Sequence, residues 1–138
     1  MNDAGLGEVF SAMQKAWAQA DADRFARAFA PDADFTSVRG DRLAGRAAIA
    51  AAHDRLFATV YIGTRLVMTV RRVRHCAPRL AVSQVDSTLL TLDGSPALGL
   101  GGNPGNTMHA QAVLEHGRAG WLIVSFMNMV PLPRIEDH

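Results

Sequence analysis

The sequence predicts an α+β fold in which helices gathered in the N-terminal half close one side of a curved antiparallel sheet built by the C-terminal half. Two observations carry this. From Leu6 to Val60 the apolar residues recur mostly at three- and four-residue spacing, and from Thr64 onward the period changes to two. A third observation sets the scale: 138 residues can bury one substantial core and are too few for two ordinary domains, so residues 1–138 are expected to form a single domain.

In the first segment Leu6, Val9, Phe10, Met13, Ala16, Trp17 and Ala20 form the stripe of an amphipathic helix. Asp21 is placed to cap a second, short helix that carries Phe25, Ala28 and Phe29 inward, and Pro31 is expected to stop it. The stretch "DADFTSVRGDRLAGR" then alternates like a short strand, with Phe35 and Ser37 on one face and Asp34, Thr36 and Val38 on the other, before a turn at Gly40. Helical spacing returns from Arg46 to Val60 through Ile49, His53, Leu56, Phe57 and Val60, with Gly45 as the breaker before it.

The remainder reads as a meander. Leu66, Met68 and Val70 alternate with Val67 and Thr69, Pro78 punctuates, and "RLAVSQVDSTLLTL" makes a second long strand. Thr107 to Glu115 and Trp121 to Val130 follow, joined through "HGRAG", whose glycines suit a hairpin. Both alternation sets of these strands carry apolar residues, Leu90, Val113 and Ile123 among them. One set needs cover that the chain's own helices cannot give, so a homodimer through the outer sheet face is expected.

Composition narrows the function by exclusion. The chain is 49% hydrophobic and 20% charged with net charge +1, which gives no bias toward nucleic acid or an anionic membrane. Its basic residues are Arg apart from Lys15, a pattern that GC-rich coding explains without phosphate binding. The single Cys76 cannot close an internal disulfide, and "MNDAGLGEVF" lacks the basic and apolar regions of a signal peptide, so a cytoplasmic location is expected.

Most motifs fail their context tests. "GLGGNPGN", Gly99 to Asn106, sits between strands and lacks the GK[ST] ending of a phosphate loop, so it reads as a hairpin loop at a pocket mouth. "RGD" at Arg39 to Asp41 reads as turn chemistry, and "RRVRH" at Arg71 to His75 as the solvated face of a strand. His53, His75, His109, His116 and His138 show no metal-ligand spacing, there is no G-x-S-x-G elbow, and no cofactor motif is present. What remains is polar side chains in apolar surroundings: His53 on its helical stripe, and His109 with Gln111 on one strand face.

The segment "AWAQADADRFARAFAPDADFTSVRGDRLAGRAAIAAAH" and the closing "GWLIVSFMN" resemble the nuclear transport factor 2-like superfamily, the cone fold of ketosteroid isomerases and SnoaL-type polyketide cyclases. The branch most resembled is the SgcJ/EcaC type of secondary metabolism. Its markers here are Trp17 to Asp21, "DFTSVRGDRLAGRAAI" into His53, and Phe126 to Asn128. The resemblance implies a cone-shaped sheet with three N-terminal helices enclosing a pocket. It also implies that Trp17 stands where the isomerases place an oxyanion-binding tyrosine, Ser37 where they place the proton-shuttling aspartate, and His109 near their neutral aspartic acid.

Steroid isomerisation needs a carboxylate to carry a proton between carbons, and Ser37 is no substitute. The chain is therefore expected not to be a ketosteroid isomerase. The expected function is binding of a hydrophobic, polyketide- or enediyne-like small molecule, lined by Trp17, Phe35, Ser37, His53, Phe57, His109, Gln111, Phe126 and Asn128, with no cofactor and no metal. Two alternatives stand beside it: a cofactor-independent isomerase, cyclase or hydratase using His53, His109 or Asp86 as acid and base, and a protein-interaction module using the sheet face.

Overall fold

The computed structural model describes residues 3–95 and 107–131. The glycine-rich stretch Gly99 to Asn106 and His138 lie outside the described residues. Helix α1 spans Asp3–Ala18 and buries Leu6, Phe10, Met13, Ala16 and Trp17, a three-and-four spacing that makes one continuous stripe. It ends where Ala20 adopts a left-handed conformation (φ 52°). The amides of Ala20 and Asp21 then close back on the carbonyls of Trp17 and Ala16, which turns Ala20 out to solvent instead of extending the stripe.

Helix α2 (Ala22–Ala26) starts at Asp21, whose carboxylate accepts from the Arg24 amide at 3.0 Å. Strand β1 (Phe29–Thr36) begins earlier than its sequence suggests, so Phe29 and Pro31 belong to a strand and not to the end of a helix. Pro31 is tolerated because pairing of β1 with its neighbour is interrupted between Phe29 and Asp34, leaving no ladder bond for its missing N–H to break. A short strand β2 (Arg42–Ala44), too short to show a periodic pattern, pairs with β1 across a turn containing the Arg-Gly-Asp triplet.

Gly45 begins helix α3 (Arg46–Phe57) with φ 92°, and a Cβ there would meet the Pro31 carbonyl oxygen at 3.2 Å. The guanidinium of Arg46 holds the Phe29 carbonyl at 2.6 and 2.9 Å, tying α3 to the start of β1. Ile49, His53 and Phe57, four residues apart, form the buried edge of α3, whereas Val60 lies past its end and is exposed.

Strands β3 (Arg65–Ala77), β4 (Leu80–Leu90), β5 (Thr107–Gly117) and β6 (Gly120–Met129) form the expected antiparallel meander. The whole sheet is curved and unclosed with order β2-β1-β6-β5-β4-β3. It is mixed and not purely antiparallel, because β1 runs parallel to β6. The inner face carries Ala81, Val85 and Leu89 of β4 and Met108, Ala110, Ala112 and Leu114 of β5, all buried under the helices. Small alanines in the middle of β5 leave room for the large aromatic rings of the opposite layer.

Candidate functional site

The interior aromatic group forms where the inner edge of α3 meets β1, α2 and the end of α1. His53, 5% exposed, is its centre. Its ring lies 4.4 Å from Phe25, 5.4 Å from Phe35, 6.0 Å from Trp17 and 6.2 Å from Phe57. Phe35 in turn stacks on Phe126 at 5.1 Å with the planes 13° apart, which links the helical layer to the sheet.

The histidine is held in one tautomer. Its Nδ1 is 2.8 Å from the carbonyl oxygen of Ile49, and since a carbonyl can only accept, Nδ1 carries the proton. Burial pushes the imidazole pKa below its ordinary value, outweighing the opposite pull of the Ile49 carbonyl. The ring is neutral, with the lone pair on Nε2.

The other polar groups are arranged around this centre. The indole N–H of Trp17 donates to the Thr64 hydroxyl at 3.0 Å, and that hydroxyl donates to the Tyr61 carbonyl at 2.7 Å, so the indole donor is already engaged. Tyr61 is half-buried with its ring 5.5 Å from Trp17, and burial raises its phenol pKa against the opposing charge of Arg39. On β6 the Asn128 side-chain amide donates to the Met108 sulfur at 3.4 Å, leaving its buried Oδ1 without a partner among the described residues. Deeper under the sheet, Ser83 has a buried hydroxyl that is likewise unpartnered.

Of the residues singled out in the sequence, Trp17, Phe35, His53, Phe57, Phe126 and Asn128 lie on the interior side. Ser37 does not line a pocket wall: β1 ends at Thr36, and the Ser37 hydroxyl accepts from the Arg39 amide at 3.2 Å within the turn. His109, Gln111 and Asp86 fall on the opposite face of the sheet. His109 pairs with Asp86 across β5 and β4, and its side chain is 47% exposed, while its neighbours Met108 and Ala110 point inward.

Two of those three do meet. His109 Nδ1 lies 2.6 Å from Asp86 Oδ1, and Arg71 Nε lies 2.7 Å from Asp86 Oδ2. These bonds hold the Asp86 carboxyl below its usual range. Phe25, Tyr61, Thr64 and Arg71 were not among the predicted site residues. Phe25 was legible as an inward residue of α2, but nothing in its spacing tied it to His53.

Two open grooves lie elsewhere. One of about 590 Å³ runs between the α1–α2 corner and α3 and is lined by alanines with Asp21, Asp23 and Asp54. The other, about 580 Å³, lies against Trp121, Arg24, Arg27 and His116. Neither touches His53. Both are open to solvent, and neither is lined by the aromatic rings that pack around the imidazole. Among the described residues no group of three or more His, Cys, Asp or Glu side chains is arranged to hold a metal ion.

Residues 10–120 match the SnoaL-like domain family. The chain belongs to that family. Solved structures agree in fold. A cystatin-like domain of unknown function from Nostoc punctiforme is 28% identical, with TM-score 0.83 over 96% of this chain and 78% of that one. An NTF-2 like protein of unknown function from Shewanella oneidensis is 16% identical, with TM-score 0.75 over 94% of this chain and 99% of that one. A ketosteroid isomerase-like protein from Erwinia carotovora atroseptica is 12% identical, with TM-score 0.69 over 96% of this chain and 98% of that one. No curated protein matches the sequence. No helix among the described residues of this SnoaL-like domain is long and apolar enough to cross a membrane.

Proposed function

We propose that this SnoaL-like domain binds an apolar, ring-bearing small molecule against the aromatic group around His53. The observation that carries the reading is His53 itself: a neutral imidazole pinned by Ile49, ringed by four aromatic side chains, with Nε2 uncommitted among the described residues. Aromatic walls give a ligand buried area, and one fixed polar atom orients it. A polyketide- or enediyne-like metabolite has this chemistry, in keeping with the resemblance to the SgcJ/EcaC branch of secondary metabolism, and no cofactor is needed to hold it. The proposed assembly is a cytoplasmic homodimer, supported by the exposed Met127, Met129 and Val67 on the outer sheet face.

The test is a titration with a hydroxyanthraquinone such as alizarin, followed by the nitrogen–proton spectrum of the labelled protein. Shifts are expected at the Trp17 indole and along α3 near His53. Shifts confined to Trp121 or to the outer strand positions, or no shifts at all, overturn the reading.

The alternative of a cofactor-independent isomerase, cyclase or hydratase rests on the same atom. A neutral imidazole with its lone pair on Nε2 is a general base, so His53 takes this role alone. His109 and Asp86, bonded to each other on the far side of the sheet, have no part in that chemistry. Protein binding through the outer face is the third reading, and it competes with the homodimer for the same surface.

A further inference from the structure

The polar atoms of the interior have a direction. Trp17 has given its N–H to Thr64. His53 has given its Nδ1 proton to Ile49, so that Nε2 can only accept. Asn128 has turned its NH₂ toward the Met108 sulfur and keeps Oδ1 buried without a donor among the described residues. The opposite amide orientation would set Oδ1 against the thioether, acceptor facing acceptor, and forfeit the contact. The hydroxyls of Tyr61, Ser83 and Ser87 both give and accept and so leave this direction unchanged.

The two unmet acceptors are linked through aromatic rings. His53 touches Phe35, Phe35 stacks on Phe126, and Asn128 follows Phe126 by two residues on the same strand, roughly 7 Å further along it. A flat ring system laid over this line would meet acceptors at both ends. For the buried Asn128 Oδ1 the missing donor costs free energy, and a carbonyl or ether oxygen brought to either acceptor repels instead of bonding.

We propose that the ligand of this site is a hydrogen-bond donor, an aromatic or alicyclic alcohol, and that His53 and Asn128 select it over the corresponding ketone or ether. This rests on the interior-binding reading and sharpens it. The selectivity is opposite in sign to that of a site built to hold an enolate or carbonyl oxygen, which needs donors at this place. Here the indole, imidazole and amide N–H groups are spent on the protein's own acceptors, and the donors that remain are hydroxyls.

The test compares three probes of nearly one shape: β-naphthol, β-methylnaphthalene and methyl β-naphthyl ketone, titrated calorimetrically into the full chain, with the binding position followed at the Trp17 indole resonance. The naphthol is expected to bind about tenfold more tightly than either of the others, as one neutral hydrogen bond in a desolvated site allows. In His53→Phe, which keeps an aromatic ring and carries no acceptor while the Ile49 carbonyl retains its helical bond, or in Asn128→Leu, the preference is expected to shrink. If all three bind with perturbation at Trp17 but the naphthol has no advantage, or the ketone binds best, the donor proposal is overturned and interior binding stands. If none perturbs Trp17, both fall.

Discussion

His53 Nδ1 lies 2.8 Å from the carbonyl oxygen of Ile49, four residues earlier on α3. That carbonyl already belongs to the helical ladder, and its second lone pair takes the imidazole proton. The bond settles the ring's tautomer before any ligand arrives. It also lets the helix carry a polar side chain on its buried edge, since the proton that burial would otherwise strand is satisfied locally.

The same burial makes stability depend on pH. His53 resists protonation in the folded chain, whereas in the unfolded chain it titrates near 6.5. The unfolded state therefore binds more protons below that value, and folding stability, complete above it, declines as pH falls through the window between 6.5 and the lower folded value. Melting temperature is expected to drop from pH about 7.5 to about 5.5, above the range in which carboxylates titrate. The slope should flatten in His53→Asn. Equal slopes in the two proteins would show that His53 is not the group responsible.

Ser83 gives a prediction of opposite sign. Its hydroxyl is fully buried on β4 without a hydrogen-bond partner among the described residues, and the residue pairs with Val73 and Ala112 on the neighbouring strands. Replacing it with alanine removes the unpaired group and leaves almost no void. Ser83→Ala should stabilise the fold by about 1 kcal/mol in urea denaturation. A loss of stability would mean that the hydroxyl is bonded in solution.

Helical positions were far more legible in the sequence than strand positions. Ile49, His53 and Phe57 could be read as one inward edge because a helix stripe has a single direction once Phe and Ile mark it. A strand has two faces, and β5 offers apolar residues on both: Met108, Ala110 and Ala112 inside, Val113 outside. Period two cannot say which set meets the helices, and a slip of one residue is enough to put His109 and Gln111 on the outer face instead of the pocket side. Ser37 departs from expectation for a different reason: β1 ends one residue earlier, at Thr36, and a serine near a glycine serves a turn. The parallel pairing of β1 with β6 joins residues about ninety positions apart, and no local pattern encodes it.

The outer-face trio of Arg71, Asp86 and His109 should be separable from ligand binding. Side-chain exposure of 63% at Arg71 and 47% at His109 leaves their contacts with Asp86 largely screened by solvent. Asp86→Asn is expected to cost less than about 1 kcal/mol in stability at neutral pH. It should also leave the affinity for interior aromatic probes unchanged, because the sheet lies between. A marked loss of probe affinity in Asp86→Asn, with folding intact, would restore Asp86 and His109 to the site.

Trp17 and Trp121 report on opposite ends of the interior. Trp17 lies beside His53, Phe57 and Tyr61, whereas Trp121 sits at the start of β6 with its ring 6.0 Å from His75 and 5.0 Å from His116. An aromatic ligand seated against His53 would change the surroundings of the first indole only. Trp17→Phe keeps an aromatic ring but leaves the Thr64 hydroxyl without its donor, so a modest loss of stability is expected alongside the loss of the fluorescence response. Trp121→Phe should leave both probe affinity and the ligand-induced fluorescence change in place. The comparison is decisive in one direction: a response that survives Trp17→Phe and disappears with Trp121→Phe would put the ligand near His116, in the groove lined by Arg24 and Arg27, and remove His53 from the binding site.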